Sequence, residues 1–264
     1  MKNFKDQTVL ITGASSGIGE EFAKLLAAEK AKVLLTARNE KKLNELAEEL
    51  ASTHGIQTHV FPADLSRPES PAKLFVEIQK SVPHVGLIIN NAGFGSWGDF
   101  QSVDNATYQE MCNLNMNAIV ALTYYFLPSM LDKRAGGFIN VASTAAFQPV
   151  PYFATYSATK AFVLSFSEAI AAEYNERGIT VTCLCPGPTE SNFHERSKID
   201  PKKLFGLEPA RNVARLGLQA FLKGKPVAIS GMKNYVLANS TRFVPRKMVS
   251  QITSKLFRPT SQTR

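Results

Sequence analysis

Short apolar runs alternate with longer segments of helical periodicity along the first two hundred residues. The apolar runs lie at 8–12, 33–37, 58–61, 86–90 and 137–142, and the helical segments at 20–29, 40–51, 69–80 and 109–132. Apolar runs without polar alternation are typical of parallel strands buried on both faces. The alternation of the two patterns therefore predicts an α/β fold with a Rossmann-like, doubly wound parallel sheet.

Length and composition agree with one domain. The chain has 264 residues, of which 44% are hydrophobic, and it contains no internal repeat or low-complexity linker. We predict a single domain over residues 1–240, with a substrate lid at about 189–209, because that connection is long for a βα loop. Residues 241–264 are predicted to form a basic, helical C-terminal extension.

A glycine-rich turn follows the first apolar run and opens the first helical segment. Strand, glycine turn and helix together form a site for a pyrophosphate, because the backbone can approach closely and the helix N-terminus favours anions. The spacing is Gly-x-x-x-Gly-x-Gly rather than Gly-x-Gly-x-x-Gly. The turn residues predicted to contact a dinucleotide are Gly13, Ser15, Ser16, Gly17, Ile18 and Gly19.

The end of the second apolar run indicates which dinucleotide is bound. Ala37 stands where an NAD-binding protein usually carries an acidic residue, and Arg38 follows it. A guanidinium can donate two hydrogen bonds to a phosphate, so NADP(H) is favoured over NAD(H). The alternative is that Arg38 only stacks on the adenine.

Tyr156 and Lys160 are four residues apart and would lie about 5 to 6 Å from each other on one helix face. An ammonium this close to a phenol would lower the phenol's pKa from about 10 toward neutrality. The spacing alone is common, but Ser143 follows the fifth apolar run and is expected at the same sheet edge. Asn115, inside an apolar helical segment, could join them or could simply bond a neighbouring carbonyl.

Five motifs occur in a fixed order: Thr12-Gly-Ala-Ser-Ser-Gly-Ile-Gly19, Asn90-Asn-Ala-Gly93, Ser143, Tyr156-Ser-Ala-Thr-Lys160 and Cys185-Pro-Gly-Pro-Thr189. With them, residues 5–230 resemble the short-chain dehydrogenase/reductase family. The resemblance implies a carbonyl reductase that uses NADP(H) and forms a homodimer or homotetramer.

The resemblance also implies the role of each site residue. Tyr156 would be the general acid/base, Lys160 would lower its pKa and hold the nicotinamide ribose, and Ser143 would bind the substrate oxygen. Asn115 would hold a water that relays protons to Lys160, Asn113 being the alternative. The remaining implied cofactor contacts are Asp64 and Leu65 on the adenine, Asn90 and Ala92 on the adenosine ribose, and Thr189 on the carboxamide.

The substrate is less defined than the cofactor. Six aromatic residues could form an apolar wall of the substrate pocket: Phe94, Trp97, Phe147, Tyr152, Phe153 and Phe193. For each of them, a position in the hydrophobic core is an equally weighted alternative. An apolar wall would suit a hydrophobic ketone, aldehyde or acyl chain. A non-catalytic NADP-binding regulator on the same fold remains the alternative function.

Charge is concentrated near the C-terminus. The chain has a net charge of +8, and no acidic residue follows Glu208. From Pro245 onward, Met248, Val249, Ile252, Leu256 and Phe257 recur at helical spacing among basic residues. Packing on the chain's own fold or on another subunit is favoured, and contact with a membrane surface is less favoured. Docking of an acidic carrier protein or a nucleotide tail is a further alternative. Nucleic acid is not expected because no base-reading module is present.

Other features indicate a cytoplasmic protein without a metal site. Cys112, Cys183 and Cys185 lack metal-ligand spacing and are expected to be reduced and mostly buried. The N-terminus lacks the apolar core of a signal peptide, and no stretch approaches the ~18 apolar residues of a membrane span.

Overall fold

The computed structural model describes residues 1–191, 193–200 and 206–259, without the side chains of residues 194 and 195. Seven parallel strands form one sheet in the order β3-β2-β1-β4-β5-β6-β7, which confirms the predicted doubly wound α/β fold. The strands are β1 (Thr8–Thr12), β2 (Lys32–Thr36), β3 (Thr58–Val60), β4 (Leu87–Asn90), β5 (Gly136–Val141), β6 (Ile179–Cys185) and β7 (Val227–Ile229).

Helices cover both faces of the sheet. They are α1 (Gly17–Ala28), α2 (Glu40–His54), α3 (Ser70–Ser81), α4 (Asn105–Cys112), α5 (Ala118–Asp132), α6 (Ala154–Tyr174), α7 (Phe193–Ser197), α8 (Ala210–Leu222), α9 (Met232–Ser240) and α10 (Arg246–Phe257). Side chains of α1, α2 and α8 pack on one face, and side chains of α3, α4, α5 and α6 pack on the other. The central strands β1, β4 and β5 are buried on both faces, which is why their sequences lack polar alternation.

The order of the strands reverses between β1 and β4. Chain connections run outward from these two strands in opposite directions and leave a crevice at their carboxyl ends. In open parallel sheets this switch point is where ligands bind. The motif residues that follow β1, β4 and β5 therefore meet at one edge.

The helix predicted over 109–132 is interrupted. It consists of α4 and α5, joined by one π-helical turn at Asn113–Asn117. The apolar pattern continues across this turn and does not show the break. Such turns often occur at functional sites, and this one carries Asn115.

The predicted lid is partly described. α7 lies within it, and Thr189 pairs with Glu208 as an isolated parallel bridge, which brings the ends of the segment together. Asn192 and residues 201–205 lie outside the described residues, as do residues 260–264 of the predicted extension. Directly after Pro245 a helix begins, as the spacing predicts, and it is α10.

Candidate active site

A cavity of about 740 Å³ lies at the switch point between β1 and β4. One side is formed by the glycine turn and the ends of β2 and β4. The floor is formed by Ser143, Tyr156 and Lys160, and the outer rim by residues of α7 and by Phe257 of α10. The structure thus brings most of the predicted site residues to a single cavity.

The glycine turn approaches its neighbours so closely that side chains are excluded. Gly13 has a φ of 66°, and a Cβ there would lie 2.9 Å from Cα of Ala92. Gly17 has a φ of 58°, a left-handed conformation that favours glycine. Ser16 precedes α1 but its side chain does not cap the helix. The first-turn N–H groups of α1 are consequently not used by a capping side chain and suit an anionic ligand.

Thr12 and Asn91 fasten this turn to the end of β4. The hydroxyl of Thr12 accepts hydrogen bonds from the backbone N–H groups of Asn91 and Ala92, each at 2.9 Å. The amide of Asn91 donates to the carbonyl oxygens of Thr12 and Gly13 at 2.9 and 3.3 Å. The turn is therefore held in place by side chains from two strands, before any ligand binds.

Arg38 and Asp64 line the far end of the cavity, with Leu65 beside them. Arg38 follows β2 and is exposed. Asp64 accepts hydrogen bonds from the backbone N–H and the hydroxyl of Ser66 at 3.1 and 2.7 Å. Burial opposes ionisation of Asp64, but the Ser66 hydrogen bonds and the positive charge of Arg38 outweigh it and lower the pKa of the carboxyl. Asp64 is ionised at neutral pH and available as a hydrogen-bond acceptor.

Tyr156 is held in the floor of the cavity by aromatic contacts. It lies in the first turn of α6 and only 8% of it is exposed. Its ring meets Phe153 edge to face with centroids 4.9 Å apart, and it contacts Phe193 of α7 at 5.2 Å. Ser143, which follows β5, accepts a hydrogen bond from the N–H of Ala145 and lines the same floor. The two hydroxyl groups proposed to bind a carbonyl oxygen are thus on one surface.

Lys160 lies one helical turn after Tyr156 and is almost fully buried. Its Nζ donates to the carbonyl of Val141 at 2.8 Å and lies 5.7 Å from the Tyr156 ring centroid. Burial lowers the pKa of Lys160 to about 8, although the buried thiols of Cys183 and Cys185 act in the opposite direction. Their Sγ atoms are 3.8 Å apart, and all three cysteines of the chain are free, as predicted.

The predicted lowering of the tyrosine pKa is wrong for the chain by itself. Burial raises the pKa of Tyr156 to about 12, and the hydrogen bond with Ser143 counters this only in part. The physical reason is that Lys160 faces the Val141 carbonyl rather than the phenolic oxygen, while Tyr156 has lost nearly all contact with water. At neutral pH the phenol is therefore protonated.

Asn115 is completely buried beside Lys160. Its Oδ1 accepts from the N–H of Phe94 at 3.1 Å, and its Nδ2 donates to the Phe94 carbonyl at 2.9 Å and to Thr159 Oγ1 at 3.0 Å. A Cβ on Gly93 would lie 3.0 Å from Asn115 Oδ1 and 3.3 Å from Lys160 Nζ, so the two polar groups flank this glycine. The alternative, Asn113, instead accepts a hydrogen bond from Asn117 at the surface.

Two predicted cofactor contacts do not line the cavity. Asn90 is buried at the end of β4, where its amide donates to Asn140 Oδ1 at 2.8 Å, and Asn140 in turn donates to Ser167. Gly19 lies in the first turn of α1, and a Cβ there would collide with the Gly13 carbonyl oxygen. Asn90 therefore joins strands, and Gly19 permits close packing of helix and turn.

Several cavity residues were not predicted, and three of them carry polar or aromatic side chains that bear on the site. The sequence predicts Asn90 as the cavity residue, but its neighbour Asn91, which directly follows β4, lines the cavity instead. Arg196 of α7 lines the cavity with its guanidinium 4.0 Å from the centre of the Phe94 ring. Phe257 reaches the cavity from the far end of the chain. No sequence signal connects Arg196 or Phe257 to the site, because their positions depend on tertiary packing.

The proposed aromatic wall is divided between cavity and surroundings. Phe94, Phe153 and Phe193 line the cavity, whereas Trp97, Phe147 and Tyr152 do not. Trp97 instead donates from Nε1 to the carbonyl of Phe257 at 2.8 Å. Thr189, predicted to contact the carboxamide, lines the cavity and donates to the Gly187 carbonyl at 2.9 Å.

Within the described ranges, no helix is long and apolar enough to cross a membrane.

Comparison with known proteins matches this arrangement. A family profile described as short chain dehydrogenase matches residues 7–202. The ketoacyl reductase HetN of Nostoc sp. is 28% identical over 92% of this chain and 85% of the relative. The very-long-chain 3-oxoacyl-CoA reductase of Anas platyrhynchos is 31% identical over 88% of this chain and 76% of the relative. A short-chain dehydrogenase from Sphingobium yanoikuyae, solved in complex with NADPH, superposes with a TM-score of 0.81 at 29% identity, covering 90% of this chain and 94% of that one.

Proposed function

The chain belongs to the short-chain dehydrogenase family, and from this premise we propose that it is an NADPH-dependent reductase of a hydrophobic ketone, aldehyde or acyl-type carbonyl. The observation that carries the proposal is the meeting of Ser143, Tyr156 and Lys160 in the floor of a cavity whose other side is the glycine turn, where Gly13 leaves no space for a side chain. Acid/base groups and a dinucleotide cradle in one cavity are what hydride transfer to a carbonyl requires.

The residues present fit a dinucleotide that carries an extra phosphate. The turn at Gly13 and Gly17 leaves room for a pyrophosphate next to the uncapped start of α1. Arg38 would bind the 2′-phosphate, Asp64 the adenine and Thr189 the carboxamide. The NADPH in the Sphingobium yanoikuyae relative supports NADP(H) as the cofactor of this chain as well.

The protein's contribution to the chemistry is proton transfer and orientation. When bound, NADPH supplies the hydride. Ser143 and Tyr156 donate hydrogen bonds to the carbonyl oxygen, and Tyr156 transfers its proton as negative charge develops there. A pKa of about 12 keeps Tyr156 in its acid form at neutral pH, and an alkoxide is basic enough to accept that proton.

Lys160 and Asn115 would restore the proton that Tyr156 gives up. With a pKa of about 8, Lys160 can release a proton close to neutral pH. Asn115 fixes the backbone of Phe94 and flanks Gly93 together with Lys160, a position suited to holding a water between the lysine and solvent. Asn115 is thus a positioning residue.

The lining of the cavity supports a hydrophobic substrate. The apolar residues that line the cavity include Phe94, Val150, Phe153, Phe193, Ile199 and Phe257. A carbonyl with a long or bulky apolar chain would bury that chain here. The two reductases of oxoacyl substrates among the relatives are consistent with this choice.

We also propose that the protein forms a homodimer or homotetramer. Light scattering after size-exclusion chromatography would measure the mass of the assembly and so identify it.

The test is oxidation of NADPH against a panel of aliphatic, aromatic, steroid-like and 3-oxoacyl carbonyls, run in parallel with NADH. Tyr156→Phe should bind NADPH normally but lose at least ~10²-fold in turnover, the scale of a general-acid contribution. Tyr124→Phe is the matched control, because Tyr124 lies on α5 and is 73% exposed. Near wild-type turnover by Tyr156→Phe would refute the assignment. Tight NADPH binding without turnover of any carbonyl would favour the alternative function, a non-catalytic NADP-binding regulator.

A further inference from the structure

The last two helices expose an unusual amount of apolar surface. On α9, Met232 is 77% exposed, Val236 58% and Leu237 66%, and Phe243 in the link to α10 is 88% exposed. On α10, the side chains at successive i+4 positions are each about half exposed, namely Met248, Ile252 and Leu256. Together with Tyr235 these residues are called the C-terminal surface below. Clusters of large exposed apolar side chains on a folded protein indicate an interaction surface.

Every charged residue on α9, on α10 and in the link between them is basic. Six exposed basic residues are interspersed with the apolar ones: Lys233, Arg242, Arg246, Lys247, Lys255 and Arg258. The sequence has no acidic residue after Glu208. Apolar side chains bordered by Lys and Arg on short helices are typical of segments that lie in the interface of an anionic bilayer.

Both helices are attached to the segment that borders the active site. α9 packs against the turn at Thr144–Phe147, which directly follows Ser143. Thr253 of α10 donates to the carbonyl of Pro149 at 3.0 Å. Phe257 lines the cavity, and its carbonyl accepts the hydrogen bond from Trp97. The C-terminal surface therefore lies beside the rim of the cavity, and one side of α10 contacts the cavity while another faces outward.

The positive charge of the C-terminal surface indicates whether its partner is a lipid surface or a second copy of the chain. A symmetric dimer through this surface would place its basic residues against the same residues of the other copy, because two-fold interfaces pair a patch with itself. Like charges would then lose water and repel each other. Anionic headgroups would neutralise the same residues while the apolar side chains entered the acyl region.

We propose that the C-terminal surface binds the face of a membrane that contains anionic lipids. The protein would lie on the bilayer with α9 and α10 in the interface and the cavity rim next to the lipid. Resting on the proposed function, this position would let a carbonyl compound dissolved in the membrane reach the cavity past Phe257. The binding itself does not depend on catalysis and can be measured without substrate.

The experiment is sedimentation of the full chain with phosphatidylcholine vesicles that contain or lack phosphatidylglycerol. We expect binding only to the anionic vesicles, weakened by added salt. The double variant Val236→Glu/Ile252→Glu should abolish binding, and Lys247→Gln/Lys255→Gln should weaken it roughly tenfold or more. All four positions are exposed, so the variants are expected to fold and to bind NADPH like wild type, which a fluorescence titration checks.

Matched controls separate this surface from general effects. Val76→Glu changes an exposed apolar residue of α3, and Lys41→Gln/Lys73→Gln removes two exposed charges from α2 and α3. Neither control should reduce binding. Absence of wild-type binding, or equal loss in variants and controls, would overturn the proposal. A different result would identify a second copy of the chain as the occupant. In that case wild type would not bind vesicles, and Val236→Glu/Ile252→Glu would lower the molecular mass of the protein measured by light scattering.

Discussion

Two sides of the cavity are built in different ways. The glycine-turn side consists of backbone held at close range, where Gly13 leaves no space for a side chain and Thr12 and Asn91 bond the loops together. The rim side consists of long side chains on α7 and α10, such as Arg196 and Phe257, that line the cavity. Backbone packing tolerates little change, whereas a long side chain can be replaced with a local effect. Substitutions should therefore affect folding and cofactor binding on the first side, and substrate binding on the second.

The largest effect on stability is expected for Gly19→Ala. The new Cβ would collide with the Gly13 carbonyl oxygen, and a backbone atom cannot move aside as a side chain can. Overpacking of this kind costs about 3 kcal/mol at the upper end of its usual range. Urea denaturation and an NADPH titration should both register the change.

Gly55→Ala is the control for that substitution. Gly55 ends α2 with a φ of 62° and has open space around it, so only the cost of a left-handed alanine applies, about 1 kcal/mol. Equal losses in the two variants would mean that close packing is not what requires a glycine at position 19.

Arg38→Ala tests the glycine-turn side without disturbing its packing. Loss of a hydrogen bond to a charged group costs about 2 kcal/mol, so kcat/KM for NADPH should fall roughly 30-fold. The value for NADH should stay the same, because NADH has no 2′-phosphate. Arg67→Ala is the control, since Arg67 also lies near Asp64, at 3.9 Å, but does not line the cavity. A parallel decrease with NADH would refute the phosphate role of Arg38.

The sequence predicts the glycine-turn side far better than the rim, for a physical reason. The turn at Gly13 is fixed by residues within a few positions of each other and by a strand and helix whose periodicities are strong. The contacts of Phe257 with Trp97 join residues 160 positions apart. Packing of this kind depends on the whole fold, so no local sequence pattern predicts it.

The wrong predictions at the site also concern features that depend on tertiary structure. Asn90 is the last residue of β4 and bonds Asn140 of β5, whereas Asn91 follows the strand and bonds the glycine turn. The motif contains both residues and does not distinguish them. The π-helical turn around Asn115 preserves the apolar pattern of its flanking helices and is therefore not visible in the sequence. The pKa of Tyr156 depends on its burial between Phe153 and Phe193, and Phe193 lies 37 positions further along the chain.

Lys160 lies in the floor between the two sides, and its pKa gives a pH-dependent signature. Its pKa is lowered to about 8 in the folded chain from 10.5, so between these values the unfolded state binds more protons. The free energy of unfolding should therefore rise with pH in this range. Relative to Lys160→Met, wild type should gain about 1 kcal/mol between pH 7.5 and pH 9.0, measured by chemical denaturation.

Lys24→Met is the control for the pH experiment. Lys24 is paired with Glu20 at 2.6 Å, and the hydrogen bond to Glu20 raises its pKa above 10.5 despite partial burial. Both folded and unfolded states then keep this proton up to pH 9.0. The stability difference between wild type and Lys24→Met should be constant over the same range, and an identical slope for the two variants would contradict the assignment to Lys160.

The smallest effect is expected at the rim, from Trp97→Phe. This change removes the hydrogen bond to the Phe257 carbonyl, which is worth about 0.5 to 1 kcal/mol, and loosens the end of α10. KM for a long-chain carbonyl should rise about two- to fivefold, while kcat and NADPH affinity stay constant. Tyr108→Phe removes a comparable bond to the Phe100 carbonyl away from the cavity and should leave KM unchanged. A fall in NADPH affinity with Trp97→Phe would show that rim and glycine turn are coupled, because a local loss at α10 has no other route to the cofactor side.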